Sequence, residues 1–182
     1  MKTIADHITD IVENSARAAA TLIEIMIQED KISDLYTLMI RDNGRGMDEE
    51  TVQKATGPFF TSRSTRKVGL GLPFLKQNAE QTGGKMEIYS YPGKGTTVVA
   101  SFVLGNIDRP AAGNLAGAFI LSVIGHPDIR ISYSHTTGKG TYTVCSAELR
   151  ELLGNVPLQT TEIRNAIGEM IRNNLEMIEG SE

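Results

Sequence analysis

Over residues 3–19 apolar side chains return at Ile4, Ile8, Ile11, Val12 and Ala18. That three-to-four spacing places them on one face of an α-helix, and another face carries Asp10, Asn14 and Arg17, spaced about one turn apart. β-type runs follow at 22–27 and 35–41, the second ending on Asp42 and a glycine-rich turn. Residues 47–56 read as a short helix with Asp48, Glu49 and Glu50 in its first turn, where negative charge is favourable. Residues 58–68 hold no sustained period and carry Arg63, Arg66 and Lys67, so a charged loop is expected. A helical pattern over 70–82 ends at Gly83-Gly84. Residues 85–91 and 96–104 then alternate as two strands about Pro92-Gly93-Lys94-Gly95, which predicts a hairpin.

Beyond residue 104 the composition changes, and 105–113 reads as a connector. A helix at 114–124, a hairpin of 129–134 and 141–146 about Gly138-Lys139-Gly140, and helices at 147–153 and 160–178 complete the chain. The expectation is an α/β domain over residues 1–104 with an α-β-β-α-α extension over 105–182. That extension would cap a sheet edge or form a partner or homodimer contact. The string Gly-Lys-Gly-Thr occurs at both 93 and 138, which reflects the residues that turns favour and not an internal repeat.

The 182 residues, 40% of them hydrophobic, suffice for one well-buried core, since chains of this size bury roughly 70% of their unfolded surface. A net charge of -4 with interspersed signs supplies no basic stripe, so nucleic acid is not expected as a partner. The longest strongly apolar stretch, residues 116–124, falls short of the about 20 residues a membrane helix needs, and a polar amino terminus adds to the expectation of a cytoplasmic protein. The single cysteine, Cys145, excludes an intramolecular disulfide and reads as a small core or strand side chain.

Three clusters carry candidate chemistry. Asn14 offers a neutral amide oxygen of the kind that can complete a Mg²⁺ shell otherwise filled by water and phosphate. On the same helix face Arg17 could reach a phosphate and Asp10 could hold a water or a proton, although a solvated helix face would carry the same residues. At the strand end, Asp42 with Gly44 and Gly46 lets the backbone turn sharply and approach a flat ligand. A buried carboxylate there could accept a hydrogen bond from an exocyclic amine such as adenine's, and a plain strand-to-helix turn is the other reading. Finally, Gly69 and Gly71 open a helix whose free N–H groups favour phosphate, with Arg63, Arg66 and Lys67 just before them.

In order along the chain, residues 10–18 (DIVENSARA), 42–47 (DNGRGM), 58–62 (PFFTS), 68–72 (VGLGL) and 93–97 (GKGTT) resemble the N, G1, F, G2 and G3 boxes of the GHKL ATPases. That group comprises gyrase, heat-shock chaperones, histidine kinases and mismatch-repair ATPases, and the resemblance spans residues 1 to about 104. The phenylalanine box and short lid are most similar to the histidine-kinase branch, which implies the Bergerat fold, a two-layer α/β sandwich with a mixed sheet. The resemblance implies ATP and Mg²⁺ as cofactors, Asn14 as the metal ligand, Asp42 on the adenine amine, and Thr96 supporting it through water. It also implies nucleotide contacts from Arg17, Ala18, Gly44, Gly46, Met47, Phe60, Thr61, Ser62, Arg63, Gly69, Leu70, Gly71 and Leu72. Lys67 stands where kinases usually carry a further glycine, which suggests a shorter lid with a cation on a phosphate. Hydrolytic members place glutamate four residues before the asparagine, where this chain has Asp10.

Complete histidine kinases carry their phosphoacceptor on a dimerising helical hairpin before the N box. Only residues 1–9 stand there in this sequence, and His7, His126 and His135 lack that context, so self-phosphorylation is not expected. The expected activity is that of a signalling kinase component, with Asp10 as catalytic residue, acting on a separate protein, as in stand-alone anti-sigma serine kinases. An ATP-dependent binding switch is the alternative, and slow ATP hydrolysis ranks third. The tail, from Ile107-Asp108-Arg109-Pro110 through Asn155-Val156-Pro157-Leu158, resembles that of small ATPase-like proteins associated with iron-hydrogenase systems, which implies a regulatory partner.

Overall fold

A computed structural model describes residues 2–57 and 71–179. Its helices are α1 (Ile4–Arg17), α2 (Glu49–Thr56), α3 (Gly71–Gln81), α4 (Leu115–Gly125), α5 (Ser146–Leu153) and α6 (Thr161–Glu179). The strands are β1 (Leu22–Asp30), β2 (Leu35–Asp42), β3 (Lys85–Tyr91), β4 (Gly95–Val103), β5 (Arg130–Thr137) and β6 (Gly140–Cys145).

Helix α1 forms where the apolar period runs, and it buries Ile4, Ile8, Ile11 and Val12. Burying each such side chain contributes roughly 1.5–3 kcal/mol. Its start is closed by a capping box: the Asp6 N–H donates to Thr3 Oγ1 at 3.1 Å, and the Thr3 N–H donates to Asp6 Oδ2 at 3.0 Å. The N–H groups of Ile4 and Ala5 donate to the carbonyls of Ala111 and Ala112 at 2.9 and 3.0 Å. The connector after residue 104 is therefore bound to α1, where it satisfies first-turn donors that have no partner inside the helix.

All six strands form one sheet in the order β3-β4-β2-β1-β5-β6. Every neighbouring pair is antiparallel except β1 and β5, which run parallel from Leu22↔Arg130 to Gln28↔Thr136. The sheet is mixed, and the extension supplies two of its strands. Strand alternation sends Ile23, Ile25, Ile27, Leu38, Ile40 and Ile131 to one buried face, where they share a core with residues of α1, α3, α4 and α6. The intervening Leu22, Glu24 and Met26 are only half-buried. This is a two-layer α/β sandwich, the architecture implied by the resemblance. Strand β1 runs past the predicted residue 27 because Gln28, Glu29 and Asp30 still pair with Thr37, Tyr36 and Leu35, although their polarity ends the sequence pattern. Among the described residues no helix is long and apolar enough to cross a membrane.

His7 lies inside this core, fully buried, with its Nε2 3.0 Å from Asn78 Nδ2 on α3. The amide nitrogen can only donate, so Nε2 accepts and the ring is neutral. Burial lowers its pKa from 6.5 to about 4. A histidine lowered in the folded state favours folding above its unfolded pKa and loses that contribution as pH falls. About 2 kcal/mol of stability should therefore disappear between pH 7 and pH 5. Asp6 and Glu29 are held below their ordinary values by hydrogen bonds, so their losses come at lower pH. Urea unfolding at the two pH values should show the drop, and His7→Gln should flatten it.

Candidate functional site

The last residue of β2, Asp42, is only 8% exposed, yet it is bound on both carboxylate oxygens. Ser15 Oγ donates to Oδ2 at 2.7 Å, while the N–H groups of Gly44 and Thr96 donate to Oδ1 at 2.9 and 3.2 Å. Strand register places Asp42 opposite Thr96 of β4. A carboxylate has about four acceptor positions, and among the described residues these three bonds leave one on Oδ2. The carboxylate is thus fixed in orientation and retains room for one donor, which is what recognition of an amine edge requires.

Glycines let the neighbouring turns interlock. Gly46 has φ +67°, and a Cβ there would stand 1.9 Å from the Tyr91 carbonyl oxygen. Gly95 has φ +83°, and its Cβ would stand 2.0 Å from the Asp42 carbonyl oxygen. The Gly93 N–H donates to Arg45 O at 2.7 Å, and the Met47 N–H donates to Ser90 Oγ at 2.8 Å. Ser90 Oγ also lies 2.8 Å from Thr96 Oγ1. At the other side the Arg45 N–H donates to Ala18 O at 2.9 Å, so the turn after Asp42 rests on the C-terminal end of α1. Asn43 Oδ1 accepts from the Thr21 and Leu22 N–H groups, both at 2.9 Å.

One residue before Ser15, Asn14 donates its Nδ2 to Asp10 Oδ2 at 3.1 Å, and among the described residues its amide oxygen has no hydrogen-bond donor. Gly71, the first residue of α3, packs so closely on Asp10 that a Cβ would come 1.8 Å from Oδ2. Burial raises the pKa of Asp10, opposed by the Asn14 hydrogen bond and the charge of Arg17. Glu13 faces away from this group, with its Oε1 2.9 Å from His126 Nε2 at the end of α4.

The expected site residues therefore converge in two groups, Asp10, Asn14 and Gly71 on one side and Asp42, Gly44 and Thr96 on the other, joined through the consecutive Asn14 and Ser15. Arg17 is exposed one turn further along α1, Ala18 contributes its carbonyl, and Leu72 packs partly against the core. Phe60, Thr61, Ser62, Arg63, Lys67, Gly69 and Leu70, with the expected charged loop, lie outside the described residues. Sequence reading missed Ser15, Asn43 and Ser90. Ser15 had a usable signal, because a hydroxyl at a core position of an amphipathic helix needs a buried partner.

Residues 2–106, more than half of the chain, match the family of histidine kinase-, DNA gyrase B- and HSP90-like ATPases. The chain belongs to this family. A protein of Shewanella frigidimarina named as a sensor protein is 34% identical over 101 residues, 54% of this chain and 15% of that protein. The non-motile and phage-resistance protein of Caulobacter vibrioides is 29% identical over 108 residues, 57% of this chain and 13% of its own length. Sensor protein SrrB of Staphylococcus aureus is 31% identical over 97 residues, 50% and 17% of the two lengths. The ATPase domain is thus related to those of sensor proteins, and the chain spans less than a fifth of each of these relatives. The crystal structure of the N-terminal domain of a DNA repair protein matches 80% of this chain and 52% of its own with a TM-score of 0.55. At 17% identity that likeness is one of fold.

Proposed function

We propose that this ATPase-family domain binds ATP with Mg²⁺ and transfers the γ-phosphoryl group to a side chain of a separate protein. The observation that carries the reading is Asp42, buried, oriented by Ser15, Gly44 and Thr96, and left by the described residues with one free acceptor position. In this reading Asp42 accepts from the adenine amine, with Thr96 beside it. Asn14 ligates Mg²⁺ through its amide oxygen, Arg17 meets phosphate, and the N-terminal N–H groups of α3 from Gly71 and Leu72 complete the anion site. ATP supplies the phosphoryl group, and Mg²⁺ neutralises charge on it. Asp10 receives the proton from the acceptor side chain, a role its burial-raised pKa suits.

Incubation with γ-labelled ATP and extract from the source cells tests the transfer. Label is expected on a second protein. Asp10→Asn should reduce labelling about 100-fold, the scale of general-base loss, with affinity for a fluorescent ATP analogue little changed. Label released only as free phosphate, or left on ATP, would overturn transfer and leave slow hydrolysis or an ATP-dependent switch.

A further inference from the structure

At the far end of the sheet from Asp42 the edge of the core carries a polar cluster, of which only His135 is buried. Asp42 pairs with Ile23 of β1, and Glu29 lies six residues further along that strand, about 20 Å away at the strand rise. Glu29, His135 of β5 and Glu179 of α6 bring one carboxylate oxygen, one imidazole nitrogen and a second carboxylate oxygen within 4.8 Å of one another. His135 is fully buried, with Nε2 3.1 Å from Glu29 Oε1 and Nδ1 3.0 Å from Tyr133 Oη. The Thr137 hydroxyl donates to the Ile178 carbonyl at 2.5 Å, which fixes the last turn of α6, and with it Glu179, against β5.

A second observation points to a missing partner. Tyr36 stands opposite Glu29 in the β1–β2 register, on the same buried face, and is 0% exposed. Its hydroxyl has no hydrogen-bond partner among the described residues. Burial, followed by the charge of Glu29, holds this phenol above its ordinary range, with Glu179 adding to the rise and Arg109 opposing it. Buried hydroxyls are nearly always satisfied, by protein or by bound water.

We propose that Glu29, His135 and Glu179 form a binding site for a first-row divalent transition cation, Zn²⁺ foremost, that clamps the end of α6 to β1 and β5. Two carboxylates and an imidazole suit Zn²⁺ better than Mg²⁺, which takes oxygen ligands. Ligand atoms of a tetrahedral Zn²⁺ site lie about 3.3 Å apart. The His135–Glu29 pair, at 3.1 Å, meets that spacing, and the Glu179 oxygen, within 4.8 Å of both, has to move in by up to about 1.5 Å to reach it. With Nε2 on the metal, the Nδ1–H of His135 donates to Tyr133 Oη, the outer contact that fixes a ligating imidazole. The fourth position would fall to a water, a candidate partner for the Tyr36 hydroxyl across the β1–β2 pair from Glu29. Glu179 also lines a groove of about 480 Å³ with Arg172 and Glu176 beside the start of α4. Arg109, stacked 4.7 Å over the Tyr36 ring, and Lys31 are cations whose charge reaches Glu29.

The untagged full chain, stripped with EDTA and free of nucleotide, is titrated with ZnCl₂ by calorimetry. Saturation at one Zn²⁺ per chain is expected, together with a metal-dependent rise in Tm. Glu179→Gln, on an exposed helix end, should keep the helical circular dichroism and the affinity for a fluorescent ATP analogue. Its Zn²⁺ affinity should fall tenfold or more, and Tyr133→Phe should weaken binding by about tenfold, as loss of an outer contact does. Co²⁺ in place of Zn²⁺ should give the visible absorption of four-coordinate cobalt. No saturable binding, or Zn²⁺ affinity unchanged in both Glu179→Gln and Glu29→Gln, would overturn the site.

Discussion

Asp42→Asn should weaken binding of a fluorescent ATP analogue about 100-fold with little change in fold, and Asp42→Ala should abolish it. The reasoning rests on which oxygen is replaced. Oδ1 accepts from two backbone N–H groups, those of Gly44 and Thr96, so the asparagine oxygen must take that position. The amide nitrogen then occupies the place of Oδ2, where the proposed adenine amine needs an acceptor, and donor faces donor. Losing a hydrogen bond to a charged group costs about 1.5–3 kcal/mol, and a buried unpaired donor adds to it, which converts to roughly two orders of magnitude in affinity. Ser15→Ala removes only the bond that orients Oδ2, so a loss of about tenfold is expected. Asp42→Asn with unchanged affinity would remove Asp42 from the adenine site.

The second large effect is on stability. Gly46→Ala should destabilise the fold by about 3–4 kcal/mol in urea unfolding, a large part of the 5–15 kcal/mol a domain holds in total. Two penalties combine: φ is +67°, and the new Cβ would stand 1.9 Å from a backbone oxygen of Tyr91 that belongs to the sheet and cannot swing away. Gly93→Ala is the matched comparison. Gly93 has φ +76° with nothing within 4 Å, so only the left-handed backbone penalty of about 1 kcal/mol remains. Equal losses in the two variants would show that the interlock of the turns after Asp42 and before Thr96 contributes nothing.

Both expectations reach the ligand pocket through contacts between segments distant in sequence, and there the reading of the sequence thins out. Helix α1, the strand pairs β1–β2 and β3–β4 that follow it in the chain, and the stop at Gly83-Gly84 all follow from local periods of 3.6 and 2. Asp10, Asn14, Asp42 and Thr96 were legible because the motifs around them recur in a fixed order. Ser15 was passed over because it falls on the apolar face of α1, where its partner is 27 residues away. Ser90 read as an ordinary strand position, yet its hydroxyl meets both Met47 and Thr96.

The sequence by itself determined the element order and the ATPase family, and it singled out Asp10, Asn14, Asp42 and Thr96, because helix and strand periods and glycine-dependent turns are set by neighbours along the chain. Only the tertiary structure decided that β5 lies parallel to β1, that Gly71 presses on Asp10, and that Glu29, His135 and Glu179 meet. Those contacts depend on strand register and on close packing between remote segments, which leave no periodic trace in the chain that makes them.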